Sequence, residues 1–142
     1  MTLPLPSNYS SAHLIISPHL DDGVFSCGGD IHRLTQAGER VLVLTVMAGL
    51  PSPAPLSPLG KKLHRAWGYP TPESLIKARL KEDHAALNAL GAEHHHWPIL
   101  DALYRRSPTL DTPLYPKFKA LIGEIHPEAR PLLEAVTAAF RA

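Results

Sequence analysis

The residues best suited to chemistry lie close together near the N-terminus, in the segment 17–23, Ser-Pro-His-Leu-Asp-Asp-Gly. One imidazole, from His19, and two carboxylates, from Asp21 and Asp22, are a plausible start for a zinc or similar metal site. Because Asp21 and Asp22 are adjacent, their side chains must point in different directions and can take different roles. One can bind the metal while the other takes a proton from metal-bound water, whose pKa falls to about 7 on zinc.

A purely structural interpretation of this segment stays open. Asp22 would then only cap a helix and His19 would only end a strand, since aspartate is common at helix N-termini. The adjacent glycines Gly28 and Gly29 favour the functional interpretation. Glycine inside a helix costs about 1 kcal/mol relative to alanine, so a close approach of another backbone is the expected reason for the pair.

The surrounding pattern predicts a parallel βαβ unit that positions this segment. Residues 13–17 are a short apolar run that predicts a buried strand, and residues 23–37 carry apolar side chains at helical spacing. Residues 40–46 are a second apolar, β-branched run and predict the clearest strand of the chain. In an open parallel sheet the active site lies outside the carboxyl ends of the strands, which is where the segment 17–23 falls.

The remaining sequence predicts four further elements. They are a long loop over residues 48–69, a helix that starts at Thr71 and Pro72 and runs to 90, a third strand over 95–100, and a last helix over 128–140. These elements predict an α/β, Rossmann-like three-layer fold with a mainly parallel sheet, incomplete at the C-terminus, because no fourth strand follows the last helix. The 142 residues are predicted to form one domain, 1–142.

Composition excludes several classes of protein. The chain is 44% hydrophobic and 19% charged, with a formal net charge of only +1, which argues against a nucleic-acid binder that relies on a basic surface. Cys27 is the only cysteine, so any metal must be bound by histidine and carboxylate. Residues 1–10 lack the pattern of a signal peptide and no membrane span is predicted, so the expected location is the cytoplasm. A nucleotide-binding Rossmann domain is disfavoured because no Gly-x-Gly-x-x-Gly follows the first strand.

The segment 17–22, together with Ser-Cys-Gly-Gly at 26–29, resembles the signature of the LmbE-like zinc deacetylases. This family is also called PIG-L, or the N-acetylglucosaminylphosphatidylinositol de-N-acetylase family. Its usual motif is His-Pro-Asp-Asp-Glu, of which the form with Leu20 is a familiar variant, and Gly23 departs from it. The resemblance continues through later segments and spans most of residues 13–106.

The resemblance implies a role for each residue of the motif. His19 and Asp22 would be zinc ligands, and Asp21 would be the general base. The implied reaction is zinc-dependent hydrolysis of the N-acetyl group of a GlcNAc-type sugar or conjugate, a small-molecule amino-sugar substrate.

Four later residues are candidate substrate contacts. Asp101, Tyr104 and Arg105 follow the end of a predicted strand, where ligand contacts are expected, although a surface turn is an alternative explanation. Arg79 would reach the pocket, as the resemblance implies. The favoured structural alternative is that Arg79 pairs with Asp83, four residues later on the apolar stripe of the helix.

One part of the family pattern is not found in this sequence. Family members carry a later His-x-Asp-His motif that supplies the third zinc ligand and a histidine for the oxyanion, whereas after His96 only His126 remains. We therefore expect the N-terminal portion of a deacetylase, with a third ligand supplied by a complementing chain or homo-oligomer. Substitution by one of residues 94–96 is disfavoured, because neighbouring side chains of a strand point to opposite faces. The alternative function is a non-catalytic, truncated or degenerate family member that binds a ligand or partner.

Three other features have competing interpretations. Cys27 is predicted to be a core residue rather than a nucleophile. Trp67 and Tyr69 would stack on a sugar ring or cover the core. The proline-rich stretch 51–58 would be a lid segment or a linker.

Overall fold

The computed structural model describes Leu3, residues 13–123 and residues 125–141. Apart from Leu3, the segment 1–10, on which the prediction about a signal peptide rests, lies outside the described residues.

The described residues contain one parallel sheet of three strands. In order across the sheet these are β1 (His13–His19), β2 (Val41–Met47) and β3 (Glu93–His96). The register pairs His19 with Met47, so β1 and β2 end side by side. The α/β prediction with a parallel sheet is confirmed.

Helices cover both faces of the sheet. They are α1 (Asp22–Gln36), α2 (Pro58–Trp67), α3 (Pro72–Ala89), the short α4 (Phe118–Leu121) and α5 (Arg130–Ala139), with single 3₁₀ turns at Ala102–Tyr104 and Pro127–Ala129. On one face, Ile31 of α1 and Leu87 of α3 pack with Val41 and Val43. Helix α5 packs on the other face, so β2 is covered on both sides and is almost continuously apolar, as buried parallel strands are.

The predicted helix after residue 70 forms with the expected start. Thr71 is its N-cap and accepts a hydrogen bond from the backbone of Ser74, while Pro72 occupies the first turn. Gly91 follows with a positive φ of 73°, which glycine adopts without steric cost. The last predicted helix also forms, as a 3₁₀ turn that continues into α5.

Two element predictions were wrong. Residues 48–69 are not one loop, because α2 forms inside them between the N-cap Ser57 and Gly68, whose φ is 75°. The third strand is Glu93–His96 rather than 95–100. Pro98 has no N–H and cannot continue a sheet ladder as a donor, which places the end of the regular strand before it.

The explanation of the paired glycines was also wrong. A Cβ on Gly28 would make only ordinary contacts at 3.9 Å, and one on Gly29 would meet nothing within 4 Å among the described residues. Close approach is required instead at Gly49, where a Cβ would lie 2.7 Å from the Pro98 carbonyl oxygen. Glycine there lets the segment after β2 pass directly beside the segment after β3.

Within the described part of the chain, no helix has both the length and the apolar character needed to cross a membrane.

Candidate active site

The turn between β1 and α1 presents the motif residues at the carboxyl edge of the sheet. Ser17, which is buried, donates a hydrogen bond to the carbonyl oxygen of His19 (2.6 Å) and accepts one from the Gly23 amide (2.8 Å). A Cβ on Gly23 would lie 3.2–3.3 Å from Val43 and Ser17, so a side chain there would press on the sheet. The departure from the family motif at Gly23 therefore coincides with tight packing of the helix start.

His19 lies between two carboxylates. Its Nδ1 is 3.1 Å from Asp22 Oδ2, and its Nε2 is 3.3 Å from Asp101 Oδ2. The hydrogen bond with Asp101 is the main reason that the pKa of His19 is raised, although partial burial opposes the shift. Burial alone would raise the pKa of Asp101, but hydrogen bonds from His19 and from the Leu103 amide (2.7 Å) lower it.

The donor set at this position fits part of a zinc site. In tetrahedral zinc sites with ligands at about 2.0–2.1 Å, two ligand atoms lie about 3.3 Å apart, close to the observed His19–Asp22 separation. A zinc-binding histidine usually donates its other ring N–H to a carboxylate, and Asp101 is positioned to receive that bond. No group of three histidine, cysteine or acidic side chains suited to a metal occurs among the described residues. The pair His19 and Asp22 therefore offers two donor side chains, one fewer than the three protein ligands of a usual catalytic zinc site.

Asp21 is held in an unusual backbone conformation beside this pair. Its φ is +77°, in the left-handed region, and it is the N-cap of α1 without a capping bond from its side chain. Its carboxylate instead accepts a hydrogen bond from Arg79 Nη1 at 2.9 Å. Burial raises the pKa of Asp21, with Asp83 and Glu82 adding to the rise and Arg79 opposing it. The Asp21 side chain is 18% exposed, so water can reach it.

The predicted ion pair between Arg79 and Asp83 does not form. Asp83 is buried on the apolar side of α3, as its spacing predicted, but its carboxylate contacts His96 Nε2 at 2.8 Å and accepts the Asp21 amide at 3.1 Å. Arg79 points instead to Asp21. The i, i+4 spacing did not determine the partners, because the turn at Asp21 provides a carboxylate for Arg79 and a backbone amide for Asp83.

A cavity of about 440 Å³ opens at this edge of the sheet. Its polar residues include five predicted from the sequence: His19, Asp22, Arg79, Asp101 and Tyr104. Apolar side chains from α2, α3, α4 and the residue after α4 form a second part of the lining: Leu63, Trp67, Leu75, Ile76, Phe118, Leu121 and Ile122. Asp21 does not line the cavity directly but contacts Arg79, which does.

Tyr104 connects this cavity to α2. Its hydroxyl is 2.9 Å from His64 Nε2, and His64 Nδ1 is 3.2 Å from the Tyr69 carbonyl oxygen. A carbonyl oxygen only accepts, so His64 donates to it from Nδ1, and in the tautomer that carries this single proton Nε2 accepts from the Tyr104 hydroxyl. Burial strongly raises the pKa of Tyr104, which keeps that proton in place.

Arg105 is not among the residues that line the cavity next to His19. Its Nε donates to the Leu100 carbonyl oxygen (2.9 Å) and its Nη2 lies 3.1 Å from Met47 Sδ. The side chain thus braces the turn that carries Asp101 and Tyr104.

The later histidines do not complete the pair His19 and Asp22. His96 is paired with the buried Asp83, and the rings of His84, His94 and His96 pack together with centroids 4.5–5.6 Å apart. His126 Nδ1 accepts the Glu128 amide at the start of a 3₁₀ turn.

Sequence reasoning missed His64 and His96 as contributors to this region, together with the apolar wall from α2 and α4. A signal for α2 was present in the sequence: Ser57 and Pro58 are an N-cap and first-turn pair, and Gly68 is a natural stop. No local signal links His96 to Asp83, which lie thirteen residues apart in different elements.

A family profile described as PIG-L, GlcNAc-PI de-N-acetylase, matches residues 14–138. None of the curated proteins matches the chain.

Several solved structures are similar to the chain. A deacetylase–teicoplanin complex from the biosynthesis pathway of teicoplanin is 36% identical over 91% of this chain and 51% of its own, with a TM-score of 0.74. The zinc-inhibited form of the teicoplanin deacetylase Orf2 is 36% identical over 91% of this chain and 50% of its own, with a TM-score of 0.75. The A40926 pseudoaglycone deacetylase Dbv21 is 44% identical over 68% of this chain and 40% of its own, with a TM-score of 0.60. The chain thus spans about half the length of the first two.

Proposed function

The chain belongs to the PIG-L family of GlcNAc-PI de-N-acetylases, and on that premise we propose that it is a zinc-dependent N-deacetylase. Its substrate would be the N-acetyl group of a GlcNAc-type sugar or conjugate. The observation that carries this proposal is the position of His19 between Asp22 and Asp101, beside Asp21 and at the edge of a cavity.

In this proposal His19 and Asp22 hold zinc, which when bound polarises the acetyl carbonyl and acidifies the attacking water. Asp101 keeps the His19 ring in orientation by accepting from Nε2. In this proposal the third protein ligand comes from a second copy of this chain or from a complementing chain.

Asp21 is the proposed general base. A pKa above the ordinary aspartate value makes its carboxylate a better proton acceptor near neutral pH than an exposed aspartate. It would take a proton from water as the new C–O bond forms and return it to the nitrogen as the C–N bond breaks. The products are acetate and a free amine.

The cavity supports a conjugate as substrate. Arg79, Asp101 and Tyr104 offer polar contacts for sugar hydroxyls, while Trp67 and Phe118 belong to a wall that can cover an apolar group attached to the sugar. The similar structures named for teicoplanin and for the A40926 pseudoaglycone agree with such a substrate. The proposed contribution of Arg105 to substrate binding is indirect, through the turn that it braces.

A second candidate function is a non-catalytic domain that binds a ligand or a partner chain. It is favoured by one observation, that the described residues provide two suitable ligands near the cavity rather than three. A single domain over 1–142 and a cytoplasmic location stay predictions.

The test combines zinc analysis with a deacetylation assay. We expect bound zinc and amine release from an N-acetylglucosamine conjugate, with turnover about 10³-fold lower in Asp21→Asn, within the range for loss of a general base. Asparagine tolerates the left-handed conformation at this position, so the variant should fold.

Asp30→Asn is the matched control, because Asp30 is an exposed aspartate of α1 whose partner is Arg33. It makes the same change of charge and should leave turnover unaltered. A chain that binds no zinc and releases no amine would reject the enzyme in favour of the binding domain.

A further inference from the structure

We propose that Asp83 is a positioning residue for the reaction: its buried carboxylate fixes the backbone of Asp21 and thereby aims the Asp21 side chain. This inference rests on the function proposed above, in which Asp21 is the general base. Asp83 lies sixty-two residues from Asp21 in the sequence, and its Oδ1 accepts the Asp21 amide at 3.1 Å.

The conformation of Asp21 needs such an anchor. A non-glycine residue in the left-handed region is strained and persists where its surroundings impose that conformation. Asp21 forms no side-chain capping bond that would hold it locally. The hydrogen bond from its amide to Asp83 is a tertiary restraint on the residue that adopts the unfavourable φ.

The Asp83 carboxylate is itself rigidly held. Its side chain is 2% exposed, and its second oxygen, Oδ2, lies 2.8 Å from His96 Nε2. The His96 ring packs against those of His84 and His94, at centroid separations of 4.8 and 5.6 Å. Because both oxygens of this buried carboxylate are hydrogen-bonded, it has little freedom to move. The position of the Asp21 amide is therefore tied to α3, which carries Asp83, and to β3, which carries His96.

Asp83 forms its hydrogen bond with the backbone amide of Asp21 and not with the Asp21 carboxylate. The Asp21 side chain is directed to Arg79, on the same helix as Asp83 and four residues earlier. Helix α3 therefore contacts Asp21 at two points, one on the amide and one on the carboxylate. Together these contacts fix the orientation of the proposed base beside Arg79, which lines the cavity.

The experiment compares Asp83→Ala with Asp83→Asn. Alanine removes the acceptor, whereas asparagine keeps an acceptor oxygen for the Asp21 amide but loses the charge. We expect kcat to fall about 100-fold in Asp83→Ala, as for a misplaced catalytic group, with little change in KM. Asparagine should restore most of this loss.

A second measurement does not depend on turnover. In the ¹H–¹⁵N spectrum of the zinc-free chain, the Asp21 amide proton should resonate downfield because its acceptor is charged. It should move upfield in Asp83→Asn and further upfield in Asp83→Ala. If the wild-type chain shows no deacetylation while these shifts occur, the proposed enzyme fails and the anchoring contact stands.

Leu87→Ala is the control for general loss of stability. Leu87 is fully buried on the same helix and packs in a cluster that does not include Asp21. It should lower the melting temperature without moving the Asp21 amide resonance or selectively lowering kcat. Should Asp83→Ala fail to fold, Asp83→Asn decides alone: an unmoved Asp21 amide resonance would overturn the proposal.

Discussion

Two histidine–aspartate pairs flank the turn at Asp21, and they differ in exposure. His19 meets Asp101 on the cavity side with 47% and 31% of the side chains exposed, whereas His96 meets Asp83 behind the turn with 14% and 2% exposed. We call these the open pair and the closed pair. The residue types are the same, so the difference in surroundings must set what each pair can do.

The open pair should stabilise the fold less than the closed pair. An exposed ion pair contributes about 0–1 kcal/mol. Removing one member of a buried pair costs about 3–5 kcal/mol because the other charge is left uncompensated. The turn at Asp21 therefore has an exposed pair on its cavity side and a buried pair behind it.

The largest effect should come from breaking the closed pair. His96→Leu should lower the free energy of unfolding by about 3 kcal/mol, since Asp83 stays buried without its partner. Asp101→Asn, in the open pair, keeps an acceptor for the Leu103 amide and should cost less than about 1 kcal/mol. Chemical denaturation at neutral pH measures both, and equal losses would remove the distinction between the pairs.

Zinc binding should depend on Asp22, on the cavity side of the turn, and not on the closed pair. Asp22→Asn should weaken zinc binding by at least the roughly 10- to 100-fold seen when a hydrogen-bonding neighbour of a zinc ligand is removed. Asp83→Asn makes the same change of charge behind the turn and should leave the affinity nearly unchanged. Competition with a chromophoric chelator measures the affinity, and a similar loss in both variants would contradict this assignment of roles.

Acid should reduce the contribution of the closed pair to the stability of the fold. Burial alone would raise the pKa of Asp83, but the hydrogen bonds with His96 and with the Asp21 amide lower it below the ordinary value of 3.8. The ionised carboxylate therefore stabilises the fold above that value, and the contribution is lost as pH falls through the folded pKa. The pKa of His94 is lowered from its ordinary value of 6.5, by burial and by His84 and His96. The fold therefore favours neutral His94, and this contribution to stability is lost as the pH falls below 6.5 through the folded pKa.

Asp83→Asn isolates the carboxylate in this pH series. The difference in unfolding free energy between wild type and variant should shrink as the pH falls below 3.8. Urea denaturation at a series of pH values gives that difference. A constant difference would show that the charge of Asp83 contributes nothing.

The smallest effect concerns the cavity wall. Tyr104→Phe removes the hydrogen bond to His64 and should cost about 1 kcal/mol of stability. Tyr69→Phe is the matched control, because His64 contacts the backbone carbonyl of Tyr69 rather than its hydroxyl. Thermal unfolding should separate the two variants, and equal melting temperatures would show that Tyr104 does not secure α2.

The first βαβ unit could be predicted from sequence because its signals are local. Apolar runs give β1 and β2, helical spacing gives α1, and the motif falls at their junction. The carboxyl-edge rule then places the motif beside Asp101, and the structure brings Asp101 to 3.3 Å from His19.

Contacts between distant elements could not be predicted in the same way. The helical spacing predicted that Arg79 pairs with Asp83. In the structure Arg79 binds the Asp21 carboxylate, and Asp83 accepts a hydrogen bond from the Asp21 amide. Only the packing of α3 against the sheet determines these partners. The same applies to the link from Tyr104 to His64, which depends on a helix that a proline-rich stretch concealed.

The anchoring of Asp21 by α3 has a consequence for the order in which the chain folds. The elements β1, α1 and β2 are contiguous in sequence, so their contacts close a shorter loop, at a lower entropic cost, than the contact between Asp21 and Asp83, sixty-two residues apart. Helix α3 is synthesised later, and Asp83 reaches Asp21 only after α3 has docked. We therefore expect a nascent chain on the ribosome to contain the whole segment 17–23 before Asp21 is fixed in its folded backbone conformation.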